Sequence, residues 1–142
     1  MPSAVKKRST RAPAMEKITL LAVCSSDDDL RLLADSLEAE RWTVRHAQTC
    51  GEALQAMESE NPAVVACEHE LADGTWRDLF ALASTLQDPP PVVVVSRHAD
   101  ENLWAEVLNL GGYDVLSKPF EKNEVTRVFE MASRHGRTLA AG

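Results

Sequence analysis

Ala63-Val64-Val65-Ala66-Cys67-Glu68 is the stretch whose reading decides the fold. Five small or β-branched apolar residues in a row, entered through Asn61-Pro62 and left through Ala72-Asp73-Gly74, predict a strand covered on both faces. A carboxylate then sits where that strand must emerge. In open α/β sheets ligands and chemistry gather beyond the carboxyl ends of the strands, so Glu68 is the first residue to question about function. Taken alone, a glutamate there is an ordinary solvated strand end.

Outward from this strand the elements alternate. Upstream, the apolar run at 18–24 predicts a first strand, followed by Ser25-Ser26-Asp27-Asp28-Asp29, good N-cap and first-turn residues for a helix. Leu30, Leu33, Ala34 and Leu37 repeat at three and four along that helix, and the stripe fails near Glu40-Arg41. Trp42-Thr43-Val44-Arg45-His46-Ala47 alternates with period two, as a strand with one covered face does. Thr49 caps a second helix with Ala53, Leu54 and Met57 inward, ending before Asn61-Pro62.

Downstream, Trp76, Leu79, Phe80 and Ala83 mark a third helix, which Pro89-Pro90-Pro91 stops well before the next strand. Val92-Val93-Val94-Val95-Ser96 is the second wholly buried strand. A fourth helix is expected at 100–110, with Trp104, Val107 and Leu108 inward and Gly111-Gly112 ending it. A short fifth strand at 113–117 runs into Lys118-Pro119. A final helix at 121–134 presents Val125, Val128 and Phe129, and residues 136–142 are expected to fray. No internal repeat or linker interrupts the pattern.

Such alternation requires right-handed crossovers, a parallel sheet and helices on both faces. The expected fold is a single doubly wound α/β domain of flavodoxin-like type, strand order 2-1-3-4-5. In that order the loops after strands one, three, four and five meet along one rim. Ser25 and Ser26, Glu68, Ser96 and Lys118 converge there.

Composition narrows the function classes. A chain of 142 residues suits one domain with a real core. Its longest apolar runs are far too short to span a bilayer, and the basic start is not followed by a convincing leader, so no membrane association and a cytoplasmic location are expected. Three cysteines without CxxC spacing, two of them within apolar runs, read as reduced and buried. Residues 1–17 carry +4, expected as a disordered tail; Met15 leaves open a later natural start. The remainder carries −11, from 10 basic and 21 acidic side chains. No basic stripe with interleaved aromatics exists, so the domain itself is not expected to bind nucleic acid.

At these residues the chain resembles the receiver domain of two-component response regulators. The resemblance covers residues 18–134. Its strongest element is Val115-Leu116-Ser117-Lys118-Pro119-Phe120, similar to that family's closing strand, lysine and cis-proline. Ser96 ending strand four, the Asp-Gly turn after strand three and the glycines before strand five support it. The resemblance implies an acidic pair that holds Mg²⁺, an aspartate that attacks a phosphohistidine, and a hydroxyl residue and lysine that stabilise the phosphoryl group. A divalent cation and a lysine are needed there to offset the repulsion between carboxylate and phosphoryl oxygens.

Three of those features depart from the pattern. The acidic pair falls on Ser25 and Ser26, the phosphoacceptor on Glu68, and the aromatic switch position on Val115, while Ser96 and Lys118 match. Neutral hydroxyls are weak Mg²⁺ ligands, so no cofactor is expected. Glutamate is one methylene longer than aspartate, and a displacement near 1 Å can cost about a hundredfold in rate.

The expectation is therefore a stand-alone pseudo-receiver in two-component signalling. It is not an enzyme, and it acts through protein–protein contact, with Glu68 and Lys118 forming a partly buried ion pair. The alternative is a phosphorylatable receiver using a displaced acid, Asp27 or Asp28 in a shifted register or Glu70 as acceptor. A flavodoxin-like redox protein is disfavoured, because the first loop is acidic and without glycine where a flavin phosphate would be cradled. Expected partners are a histidine kinase, another regulator or a second copy through the face of helix four, strand five and helix five, where Trp104, Tyr113 and Arg127 are candidates. The four histidines are at no ligand spacing, and Trp42 and Trp76 are expected to pack in the core or at its edge.

Overall fold

A computed structural model describes the backbone of residues 17–141 and side chains through residue 135. Apart from Lys17, the expected tail at 1–17 lies outside the described residues. Five parallel strands form one sheet: β1 (Ile18–Val23), β2 (Trp42–Ala47), β3 (Val64–Glu68), β4 (Val92–Ser96) and β5 (Asp114–Ser117). Their order is β2-β1-β3-β4-β5, as the sequence pattern predicts. A two-residue antiparallel ribbon, Glu70–Leu71 with Gly74–Thr75, follows β3.

Five helices among the described residues cover the two faces: α1 (Asp27–Asp35), α2 (Cys50–Glu60), α3 (Trp76–Ala83), α4 (Glu101–Leu110) and α5 (Lys122–Ala141). One core joins Leu20, Ala22, Val64, Ala66, Val93 and Leu116 of the strands to Leu33 of α1 and Val125, Val128 and Phe129 of α5. The opposite core joins Leu21, Val23, Val65, Cys67, Val92 and Val94 to α2, α3 and α4. Strands β3 and β4 are therefore apolar at every position before their ends, because each alternate residue meets a helix layer.

Local chemistry sets the helix ends. Ser26 Oγ accepts from the Asp29 amide at 3.2 Å to cap α1, and Thr49 Oγ1 accepts from Glu52 at 3.1 Å to cap α2. Thr75 and Asp78 form a reciprocal capping box on α3. Asp73 accepts from the amides of Cys50 (2.8 Å) and Gly51 (3.2 Å), tying the turn after β3 to the start of α2. Those amides hold its carboxyl below the usual range. Gly111 ends α4 at φ 107°, and a Cβ there would stand 2.9 Å from Phe80 Cζ. The position needs glycine on both counts.

The structure departs from the sequence expectations at several elements. On α4 it is Leu103 and Val107 that are buried, while Trp104 is 51% and Leu108 37% exposed. Two apolar stripes lie side by side on this helix at i, i+4 spacing, and only one can face the sheet. Leu54 of α2 is only partly buried. In β2 the alternation is blurred, because an edge strand lets Trp42 and Val44 pack on one layer and Ala47 on the other. Helix α5 continues past residue 134 to Ala141 instead of fraying from 136. Alanine, leucine and arginine favour helix there, and the single Gly136 costs only about 1 kcal/mol.

Candidate functional site

The rim at the carboxyl ends of β1, β3, β4 and β5 is built by register. Val23 pairs with Cys67, Glu68 with Val95, and Ser96 with Ser117. The residues immediately following β1 and β5 thereby stand beside Glu68. Lys118 Nζ donates to Glu68 Oε2 at 2.7 Å and to Asp29 Oδ2 at 2.6 Å. The other glutamate oxygen, Oε1, accepts from the Ser25 amide at 3.0 Å and from Ser25 Oγ at 3.3 Å. All three charged side chains are largely withdrawn from water, Lys118 at 9%, Asp29 at 14% and Glu68 at 17% exposure.

One ammonium thus sits between two carboxylates in a poorly hydrated place. Burial alone would lower the pKa of Lys118. The hydrogen bonds and charges of Asp29 and Glu68 more than offset this, and its pKa lies above the ordinary value. The Cys24 thiol nearby is pushed up to about 11, first by burial and then by the charges of Glu68 and Asp29. Burial raises Cys50 to about 11 as well, and raises Cys67 further, so all three thiols are inert at neutral pH.

The other predicted residues take these places. Ser26 is engaged as the cap of α1. Ser96 is 5% exposed, and its hydroxyl accepts from the His98 amide at 3.0 Å. Its carbonyl receives the Lys118 amide at 3.1 Å, which fixes the lysine backbone to β4. Lys118–Pro119 is a cis peptide. Val115 is partly buried against the core shared with α4. Asp27 and Asp28 are exposed, Asp28 lying 3.6 Å from Arg31, and Glu70 is exposed in the ribbon.

Trp104 Nε1 donates to Asp114 Oδ1 at 3.3 Å, placing its half-exposed ring beside β5. Tyr113 instead packs against His135 with the rings tilted by 51° and their centroids 5.3 Å apart, and Arg127 is exposed on α5. Trp104 and Tyr113 therefore have different partners. Among the described residues no group of three or more histidine, cysteine or acidic residues has the geometry to hold a metal ion.

Asp29 is the residue that sequence reasoning missed. It was reachable from the cap: with Ser26 as N-cap, Asp29 is the third helical residue. A helical Cα–Cβ bond tilts toward the N-terminus, which returns this carboxylate to the rim.

A family model, the response regulator receiver domain, matches residues 23–130. The chain belongs to this family. Among curated relatives, the DNA-binding transcriptional regulator NtrC of Proteus hauseri is 25% identical over 116 residues, 81% of this chain and 24% of that protein. The transcriptional regulatory protein FixJ of Bradyrhizobium diazoefficiens is 37% identical over 63 residues, 44% of this chain and 31% of that protein. The chain spans less than a third of the length of either. A solved signal receiver domain from Vibrio parahaemolyticus, described as that of a Luxo repressor protein, superposes with a TM-score of 0.81 at 18% identity. It covers 89% of this chain and 97% of that one. That likeness speaks for the fold, and the family match places the domain in two-component signalling.

Proposed function

We propose that this receiver signals through protein–protein contact without accepting a phosphoryl group. The observation that carries the reading is the clamp at Lys118. Its ammonium, which in this family would meet the phosphoryl oxygens, is held by Glu68 and Asp29. Glu68, at the acceptor position, has its second oxygen held by Ser25.

The donor set does not fit Mg²⁺. A hard cation wants several oxygen ligands, charged ones above all, whereas this rim offers two neutral serines and two carboxylates already bound to an ammonium. Glu68 and Lys118 together with Asp29 thus behave as a structural latch joining the ends of β3 and β5 to the first turn of α1.

Signalling output would run through the face of α4, β5 and α5 to a histidine kinase, another regulator or a second copy of the chain. Trp104 supplies a large aromatic anchor there, with Leu108 one turn on. The net charge of −11 outside residues 1–17 argues against direct contact between this domain and nucleic acid. Among the described residues no helix is long and apolar enough to cross a membrane.

One observation favours the alternative of a phosphorylatable receiver: Asp29 returns a carboxylate to the rim that the serines had left neutral. Incubation with acetyl phosphate or phosphoramidate and Mg²⁺, followed by intact mass, separates the two. The latch predicts no mass gain. A stoichiometric phosphoryl adduct would refute it.

A further inference from the structure

At the amino ends of β3, β4 and β5, on the edge of the sheet remote from Glu68, lies a cleft of about 550 Å³. That is within the range of small-ligand sites, roughly 300–1,000 Å³. Its aromatic walls are Phe80, Tyr113 and His135, and Asp88 stands at its margin. Glycine at 111 is what lets Phe80 sit against the cleft, since a Cβ would meet the ring at 2.9 Å.

Backbone hydrogen-bond capacity in the lining is one-sided. Pro62, Pro89, Pro90 and Pro91 have no amide hydrogen to offer. The amides of Asn61, Ala63, Gly111, Gly112 and Tyr113 all donate to backbone carbonyls, at 2.8–3.2 Å. Ser84 Oγ donates to the Phe80 carbonyl at 2.9 Å, which leaves its oxygen as an acceptor. Asn61, Tyr113 and His135 add side-chain donors, while Asp88 brings the one carboxylate of the lining and Phe80 and Tyr113 bring ring faces.

We propose that this cleft binds a small planar aromatic molecule bearing a protonated nitrogen. The ring lies against Phe80 and Tyr113, and the cationic group faces Asp88. Flat rings pack on the aromatic and proline surfaces, while the positive charge gains from the carboxylate and from the negative faces of the rings. The site is independent of the Lys118 latch, and neither reading depends on the other.

Benzamidine is the probe, with benzoate as the control of like shape and opposite charge. In ¹H–¹⁵N spectra of the full chain, benzamidine shifts the amides of Gly111, Gly112 and Tyr113 saturably and leaves Ser25 and Lys118 in place. Benzoate does not saturate. Asp88→Asn weakens benzamidine about two- to fivefold, the scale of an exposed ion pair, with unchanged melting. As a second variant, Phe80→Ala abolishes the saturable shift, and its own spectrum reports whether the domain remains folded. Absence of a saturable benzamidine shift at millimolar concentration would overturn the proposal. Equal binding of benzoate, or an Asp88→Asn variant that binds benzamidine as tightly as the parent, would do the same.

Discussion

Replacing Lys118 by methionine keeps most of the stem and deletes the ammonium, and its consequences follow from the clamp geometry. Two carboxylates, 14% and 17% exposed, would then face one rim with no cation between them. Glu68 would retain its Ser25 bonds, whereas Asp29 would lose the Lys118 ammonium. Breaking a buried ion pair from one side costs about 3–5 kcal/mol, and the residual hydration here sets the expectation near about 3 kcal/mol. For a domain of this size that corresponds to a fall in Tm of roughly 10 °C. Urea unfolding of both proteins at pH 7 checks this. Glu68→Gln added to the variant should restore part of the loss. A cost below about 1 kcal/mol, or no recovery on adding Glu68→Gln, would refute the reasoning.

Further consequences are equally direct. The raised pKa of Lys118 means that the parent's clamp is fully present below the ordinary lysine value of 10.5 and is lost as pH rises through the higher folded value. Alkaline unfolding of Lys118→Met should therefore lack the last such step. Gly111→Ala meets both a left-handed φ and the Phe80 ring, and should cost about 1–3 kcal/mol in denaturant midpoint. Trp104→Ala, at a half-exposed ring, should leave melting within about 1 kcal/mol of the parent and weaken any homodimer seen by light scattering; an unchanged dimer would remove this face. Cys24, Cys50 and Cys67 are buried with raised thiol pKa values, so a thiol reagent should label none of them at pH 7 until urea is added.

Where one physical pattern dominates, the sequence was readable. The runs that became β3 and β4 are apolar throughout because both faces are covered, and the caps at Ser26 and Thr49 announce the helices that follow. Strand order brings Glu68 and Lys118 to one rim with β4 between their strands, and the reach of the two long side chains closes the pair. Reading failed where two patterns compete. On α4 the stripes Leu103/Val107 and Trp104/Leu108 are both apolar, and only packing chooses between them. Asp29 was hidden because register was counted along the strand end, whereas this residue reaches the rim from the first turn of a helix. The cleft at the amino edge has no local signature, being assembled from three loops, α3 and α5.

The ammonium of Lys118 offers the most direct measurement. Side-chain ¹⁵N spectroscopy of a lysine-labelled sample, recorded while Mg²⁺ is raised through the millimolar range, reports whether Nζ stays bound between Asp29 and Glu68. The latch predicts a protected Lys118 ammonium resonance whose position does not change. Its release or broadening as Mg²⁺ is added would show that the carboxylates prefer the cation, and would contradict the account.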